Sequence, residues 1–213
     1  MVKGPIQFYF DFASPYAYFA FPGIEEIGRR WGREIIWKPV MVWAILKAHG
    51  IAPPMDVPAK HRYFITDMQR SAEFHGVAYR HPDRLPLSAH LATRLYLTMA
   101  RTSLPLAKAF GRAVFQNFFT RNADISDAEA LLAIATSLGL DKSAAVEGMN
   151  GQAGRDLLAS ALDEAVAAGV IGSPFFVMDD EPFFGADRLP EIEWRLGRQA
   201  QGGDTGRERD EKL

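Results

Sequence analysis

No cysteine occurs anywhere in the 213-residue sequence. Its absence excludes disulfides, thiolate metal sites and any redox couple carried by the protein itself. An excess of either charge is missing too: 24 Lys and Arg stand against 26 Asp and Glu, a formal net charge of −2. The basic residues are scattered rather than interleaved with aromatics, so no nucleic-acid partner is expected. Long apolar runs are also lacking. The longest weakly polar stretch, AVAAGVIGSPFFVM from Ala165, is short and broken by Gly and Pro, so no membrane span is expected. MVKGPIQFYF at the N-terminus has neither the apolar core nor the cleavage site of a signal peptide, which makes the cytoplasm the expected location. His49, His61, His75, His81 and His90 form no i, i+4 pair, and no metal site is expected.

What is present is a globular composition, 48% hydrophobic. Ile6, Phe8 and Phe10 alternate with Gln7 and Tyr9 as in a strand. Ser14-Pro15 then opens a helix to about Arg30, with Pro15 at its first position, and Glu34 to Val40 reads as a second strand. From about Lys60 to Ala168 the periodicity is helical. ISDAEALLAIATSLGL carries a capping box, Ser126-x-x-Glu129, and stops at Gly139. Helices are also expected from near Ser88, from near Pro105, and over RDLLASALDEAVAAG. After Gly172, PFFVMDDEPFFG reads as two strands around Asp179-Asp180, and ADRLPEIEWRLG as a closing helix with Leu189, Ile192 and Leu196 inward.

The order is β-α-β, helices, then β-β-α. It predicts an α/β fold of thioredoxin-like arrangement with an inserted all-helical subdomain. Residues 1–50 and 169–200 form the frame, 51–168 the insertion, and 201–213 a solvated tail.

Four places carry candidate chemistry. The junction FDFASPYAYF holds Ser14-Pro15-Tyr16-Ala17 where many redox proteins place Cys-Pro-x-Cys. An ordinary N-cap accounts for Ser14. The same geometry also offers a helix N-terminus and a hydroxyl to a bound thiolate. No G-x-S-x-G elbow surrounds Ser14, which speaks against hydrolase chemistry. Pro174 at the start of a strand is either an ordinary trans proline or a cis Ser173–Pro174 bond that exposes backbone to a peptide-like ligand. Asp187 and Arg188 are either a helix cap with a surface charge or a clamp for an amino-acid-like zwitterion. Lys60, in a loop leading into a helix, is either solvated or a carboxylate contact.

Phe-x-Ser-Pro-Tyr, Gly-x-x-Ser-Pro and Gly-x-Asp-Arg, in this order, resemble 2-hydroxychromene-2-carboxylate isomerases. These are glutathione-dependent proteins related to kappa-class glutathione transferases, in the DsbA-like branch of the thioredoxin fold. The resemblance spans roughly residues 5 to 198. It implies glutathione as cofactor, with its thiol activated by Ser14. Ser173 beside cis-Pro174 would pair with the tripeptide backbone, Asp187 and Arg188 would hold the γ-glutamyl end, and Lys60 would sit near a carboxylate. The family often has Asn after the Gly of the loop before this lysine, whereas here Gly50 precedes Ile51-Ala52-Pro53-Pro54.

The implied reaction opens a 2-hydroxychromene-2-carboxylate to a trans-o-hydroxybenzylidenepyruvate through reversible addition of the thiolate. An aromatic substrate calls for an apolar wall, for which Phe12, Tyr16 and Trp43 are candidates, and relatives imply a homodimer. A kappa-like transferase or peroxidase, or a non-catalytic binding module of the same fold, are the rival readings.

Overall fold

The computed structural model describes residues 4–204. β1 (Ile6–Phe10) runs into α1 (Pro15–Trp31), which opens with Pro15 at its first position after the extended Ser14. Gly32 ends that helix in the left-handed region at φ 63°, as a C-terminal glycine does. β2 (Ile35–Pro39) follows directly. The return is tight: a Cβ on Gly28 would lie 2.7 Å from the Arg33 carbonyl and from the Ile35 side chain, so only glycine fits there.

The helices between β2 and the next strand are α2 (Val42–Ala48), α3 (Pro58–His75), α4 (His90–Ala100), α5 (Leu104–Arg121), α6 (Ala128–Ser137), α7 (Lys142–Asn150) and α8 (Gln152–Ala167). β3 (Phe175–Met178), β4 (Glu181–Phe184), a 3₁₀ turn at Ala186–Arg188 and α9 (Leu189–Asp204) complete the described chain. Asp179 and Asp180 join β3 to β4 with φ of 51° and 64°, the two left-handed residues of a type I′ hairpin. Buried Arg33 reaches Asp179 at 2.6 Å and ties this turn to the α1–β2 corner.

The sheet order is β2-β1-β3-β4, with β1 parallel to β2 and antiparallel to β3. The architecture is α/β and thioredoxin-like, as the element order implies. Alternation along β1 sends Phe8 and Phe10 to one core and Tyr9 to the other. On the larger face Phe8 stacks on Phe176 of β3 at 5.3 Å, while Phe10 meets Trp37 of β2 and Phe115 of α5. Trp37 donates its indole N–H to Glu25 of α1 at 2.6 Å, and Arg112 of α5 pairs with the same carboxylate. On the smaller face Tyr9, Val40 and Phe175 pack against Ile45 of α2 and Ala165 of α8.

Several local expectations change. α6 is not opened by a Ser126–Glu129 box: Asp127 is the cap and accepts the Glu129 N–H, while Ser126 donates to Asp124. An aspartate one residue nearer the helix outcompetes serine for the cap. Lys60 lies in the first turn of α3 rather than in a loop, because Pro58 starts that helix. Phe12 is fully buried against Phe10, Tyr96 and Phe115 and is core, not cleft wall. Of the tail expected at 201–213, α9 takes in the residues up to Asp204, and 205–213 lie outside the described residues.

The cap assignment predicts that Asp127→Ala destabilises the protein by about 1 kcal/mol in urea unfolding, while Glu129→Ala stays within about 0.5 kcal/mol. The reverse ranking would restore the box.

Candidate functional site

β1 delivers the chain to a turn in which the Ser14 N–H returns to the Asp11 carbonyl at 2.9 Å. Ser14 then caps α1: its Oγ accepts the Ala17 N–H at 3.3 Å and donates to the Ser173 carbonyl at 3.0 Å. The first turn of α1 holds no acidic residue, so its partial positive charge is uncompensated from within the helix. Opposite it, the Ser173–Pro174 peptide bond is cis, and the Gly185 N–H holds the Pro174 carbonyl at 3.1 Å.

Asp11 lies beneath this junction, 1% exposed. Oδ1 accepts the Ala13 N–H and Oδ2 the Val42 N–H, each at 2.9 Å. Asp11 also donates its own N–H to Ser173 Oγ at 2.9 Å. Burial pushes its carboxyl up to about 6, and the two N–H donors offset only part of that rise.

These groups open onto a cleft of about 890 Å³, within the range of small-ligand sites. Ser14, Lys60, Ser173, Pro174 and Asp187 all line it. Arg188 does not: its guanidinium is engaged by Asp187 and Glu191. Tyr16 and Trp43 are on the wall, as are Ile51 and Ala52 of the loop after Gly50.

Three wall features escaped sequence reasoning. The first is Asp11, a lone acid with no pattern around it. The second is a cluster about Asp67, which accepts from Tyr16 Oη at 2.6 Å, Tyr63 Oη at 3.1 Å, and Arg70. Burial disfavours the Asp67 charge, yet hydrogen bonds from Tyr16, Arg70 and Tyr63 outweigh it and hold the carboxyl below its usual range. Burial, reinforced by the Asp67 bond, raises the Tyr16 phenol far above its ordinary value and keeps it neutral. The third is His75, held below its ordinary value by burial, with the Asp187 charge opposing. A signal for the second and third existed: Lys60, Phe64, Asp67, Ser71 and Phe74 recur at helical spacing along α3, with His75 beside them, and all line the cleft.

A family model described as the DSBA-like thioredoxin domain matches residues 5–197. The chain belongs to the DsbA-like thioredoxin family. Within it, the chain stands with the 2-hydroxychromene-2-carboxylate isomerases. The protein of that name from Sphingobium xenophagum is 31% identical over 190 residues, covering 88% of this chain and 95% of its own. Glutathione S-transferase kappa 2 of Caenorhabditis elegans is 25% identical over 201 residues, covering 88% and 89%. A solved structure of 2-hydroxychromene-2-carboxylate isomerase superposes with a TM-score of 0.81 at 25% identity, over 94% of this chain and 98% of that one. At the start of α1 this chain has Ser14, and it has no cysteine at all.

Among the described residues no group of three or more His, Asp or Glu is placed to hold a metal ion. None of the described helices is long and apolar enough to cross a membrane.

Asp11 makes stability depend on pH. Its folded pKa exceeds the ordinary 3.8, so the folded state holds the proton more tightly, and the stabilisation is full below about pH 4 and lost as pH rises through 6. Wild type is therefore expected to lose up to about 3 kcal/mol relative to Asp11→Asn between pH 4 and pH 7 in urea unfolding. A pH-independent difference between the two contradicts it.

Proposed function

We propose that this protein is a glutathione-dependent isomerase of 2-hydroxychromene-2-carboxylate-type compounds, opening them to trans-o-hydroxybenzylidenepyruvate-type products. One observation carries the reading: in a chain without cysteine, a serine hydroxyl caps a helix N-terminus and faces a cis Ser173–Pro174 bond in a ligand-sized cleft. The donor set suits glutathione. A hydroxyl and a helix N-terminus favour a thiolate, Asp187 suits an ammonium, and Lys60 suits a carboxylate. The relatives named as isomerases and kappa transferases support the same class of ligand.

When bound, glutathione supplies a thiolate that adds reversibly to an unsaturated carbon. The protein's part is positioning and charge. Ser14 now donates its proton to the Ser173 carbonyl. Rotation of that one hydroxyl would offer a donor to a bound thiolate and would free the Ser173 carbonyl for a ligand N–H. Pro15 has no N–H of its own, and Ser14 Oγ already takes the Ala17 N–H, so the hydroxyl is the adjustable donor of this turn. Lys60 is exposed at the start of α3, free to reach a carboxylate at the cleft mouth. Asp187 takes the ammonium, with Arg188 acting through its ion pair to Asp187 rather than on the ligand. Tyr16, Trp43 and Phe64 form the apolar wall for an aromatic acceptor.

The kappa relatives favour a second reading, a transferase that leaves a stable conjugate. Both use the same activated thiol. Product analysis with a chromene and with a halogenated acceptor separates them.

The test is a thiolate-absorbance titration of bound glutathione. The bound thiol is expected to ionise well below the ordinary ~8.5, and Ser14→Ala to return it toward that value with a fall in kcat/KM of about 10²-fold or more. Unshifted ionisation in the wild-type complex would sink the proposal.

A further inference from the structure

Asp11 is a buried carboxylate that the reaction outlined above does not use. Among the described residues no ion pair involves it, and its raised pKa stems from burial with no neighbouring charge contributing. Burying a charge without a counter-ion is unfavourable and persists where the surroundings compel it. Here the compulsion is geometric. The Ala13 and Val42 N–H groups come from two separate segments, and each needs an acceptor. A carboxylate has two acceptor oxygens. An amide has one, and would turn an NH₂ toward the other N–H.

The remaining polar groups of the residue are committed as well. The Asp11 N–H goes to Ser173 Oγ, and its carbonyl takes the Ser14 N–H. One residue thus binds the turn that carries Ser14, the loop that carries the cis bond, and the start of α2, which sets Trp43 and Leu46 on the cleft wall. We propose that Asp11 is the positioning residue of this cleft: its ionised carboxyl accepts the Ala13 and Val42 N–H groups and so sets the turn that carries Ser14 against the first turn of α2, and protonation, although it relieves the buried charge and stabilises the fold as a whole, weakens these two bonds together.

Other charged and titratable groups share the cleft: Tyr16 from α1, Lys60, Tyr63, Asp67, Arg70 and His75 from α3, and Asp187 before α9. On α2, Lys47 is exposed, as is His49 just beyond it. Of the groups lining the cleft, His75 is the one whose ordinary titration falls near neutrality, so His75→Gln is the control.

The bearing on ligand binding rests on the proposed use of glutathione, so the test has two readouts. The first needs no ligand: amide spectra of the wild-type protein from pH 4.5 to 8. The Ala13, Ser14 and Val42 amides are expected to share one inflection, kept in His75→Gln and absent in Asp11→Asn. Amides that stay still, or move at different pH values, overturn the proposal even if Asp11→Asn does not fold.

The second readout is the Kd of S-methylglutathione, which has no titrating thiol. Its affinity is expected to weaken about three- to tenfold as Asp11 is protonated, and to be flat with pH in Asp11→Asn. A co-titrating set of amides with a pH-independent Kd for wild type also overturns it. Co-titration without any binding of S-methylglutathione leaves the positioning role standing and removes the glutathione reading instead.

Discussion

Two hydrogen bonds converge on Ser173, one from the Asp11 N–H to its hydroxyl and one from the Ser14 hydroxyl to its carbonyl. They close a loop of 162 residues between Asp11 and Ser173. Everything that makes a cleft here depends on that closure. It exists because β1 pairs with β3, which places the ends of two strands remote in sequence side by side. A chain that closes so long a loop pays much of the entropy once, in forming the sheet. The site is then assembled from neighbours of the strand ends, as ligand sites in open α/β sheets usually are.

The sheet pairing is itself held by aromatic packing. Phe8 lies between Phe176 and Trp37, so one residue of β1 touches both of its neighbouring strands. Phe10 extends the same layer to Phe115, which joins α5 to the sheet. The inserted helices therefore share one core with the frame, and α5 is fastened further by Arg112 and Lys108 on the Glu25 carboxylate. On the opposite side of the cleft, α3 is anchored by Met68 and Ala72 in the core and by the Tyr16–Asp67 hydrogen bond, while its cleft-facing residues Tyr63 and Phe74 are exposed. Ser14 stands on the packed frame, and the wall where an acceptor would lie is apolar, with Tyr16, Trp43 and Phe64 on it.

The electrostatics follow from the missing cysteine. With no thiol of its own, the protein offers only the means to stabilise one: a helix N-terminus, a cap hydroxyl and a basic residue across the cleft. Beneath them sits a buried acid whose charge would oppose a thiolate. Its two carboxyl oxygens take the Ala13 and Val42 N–H groups.

Much of this was legible in the chain itself. Alternation in IQFYF, the Ser14-Pro15 start, the paired aspartates of the hairpin and the inward stripe of α9 each specify a local element, because strand and helix periods and turn preferences are short-range properties. Three motifs in order pointed to the family, and Ser14, Lys60, Ser173, Pro174 and Asp187 do meet in one cleft. Other features were settled only in three dimensions. Asp127 rather than Ser126 caps α6, since two neighbouring cap residues compete and local geometry chooses. Phe12 went to the core, because Tyr96 and Phe115 arrive from distant helices to cover it. Arg188 turned from the cleft to Glu191, one helical turn away. Above all, Asp11 has no signature in sequence: its partners Val42 and Ser173 lie 31 and 162 positions away, and only the closed sheet brings their backbone groups within hydrogen-bonding reach.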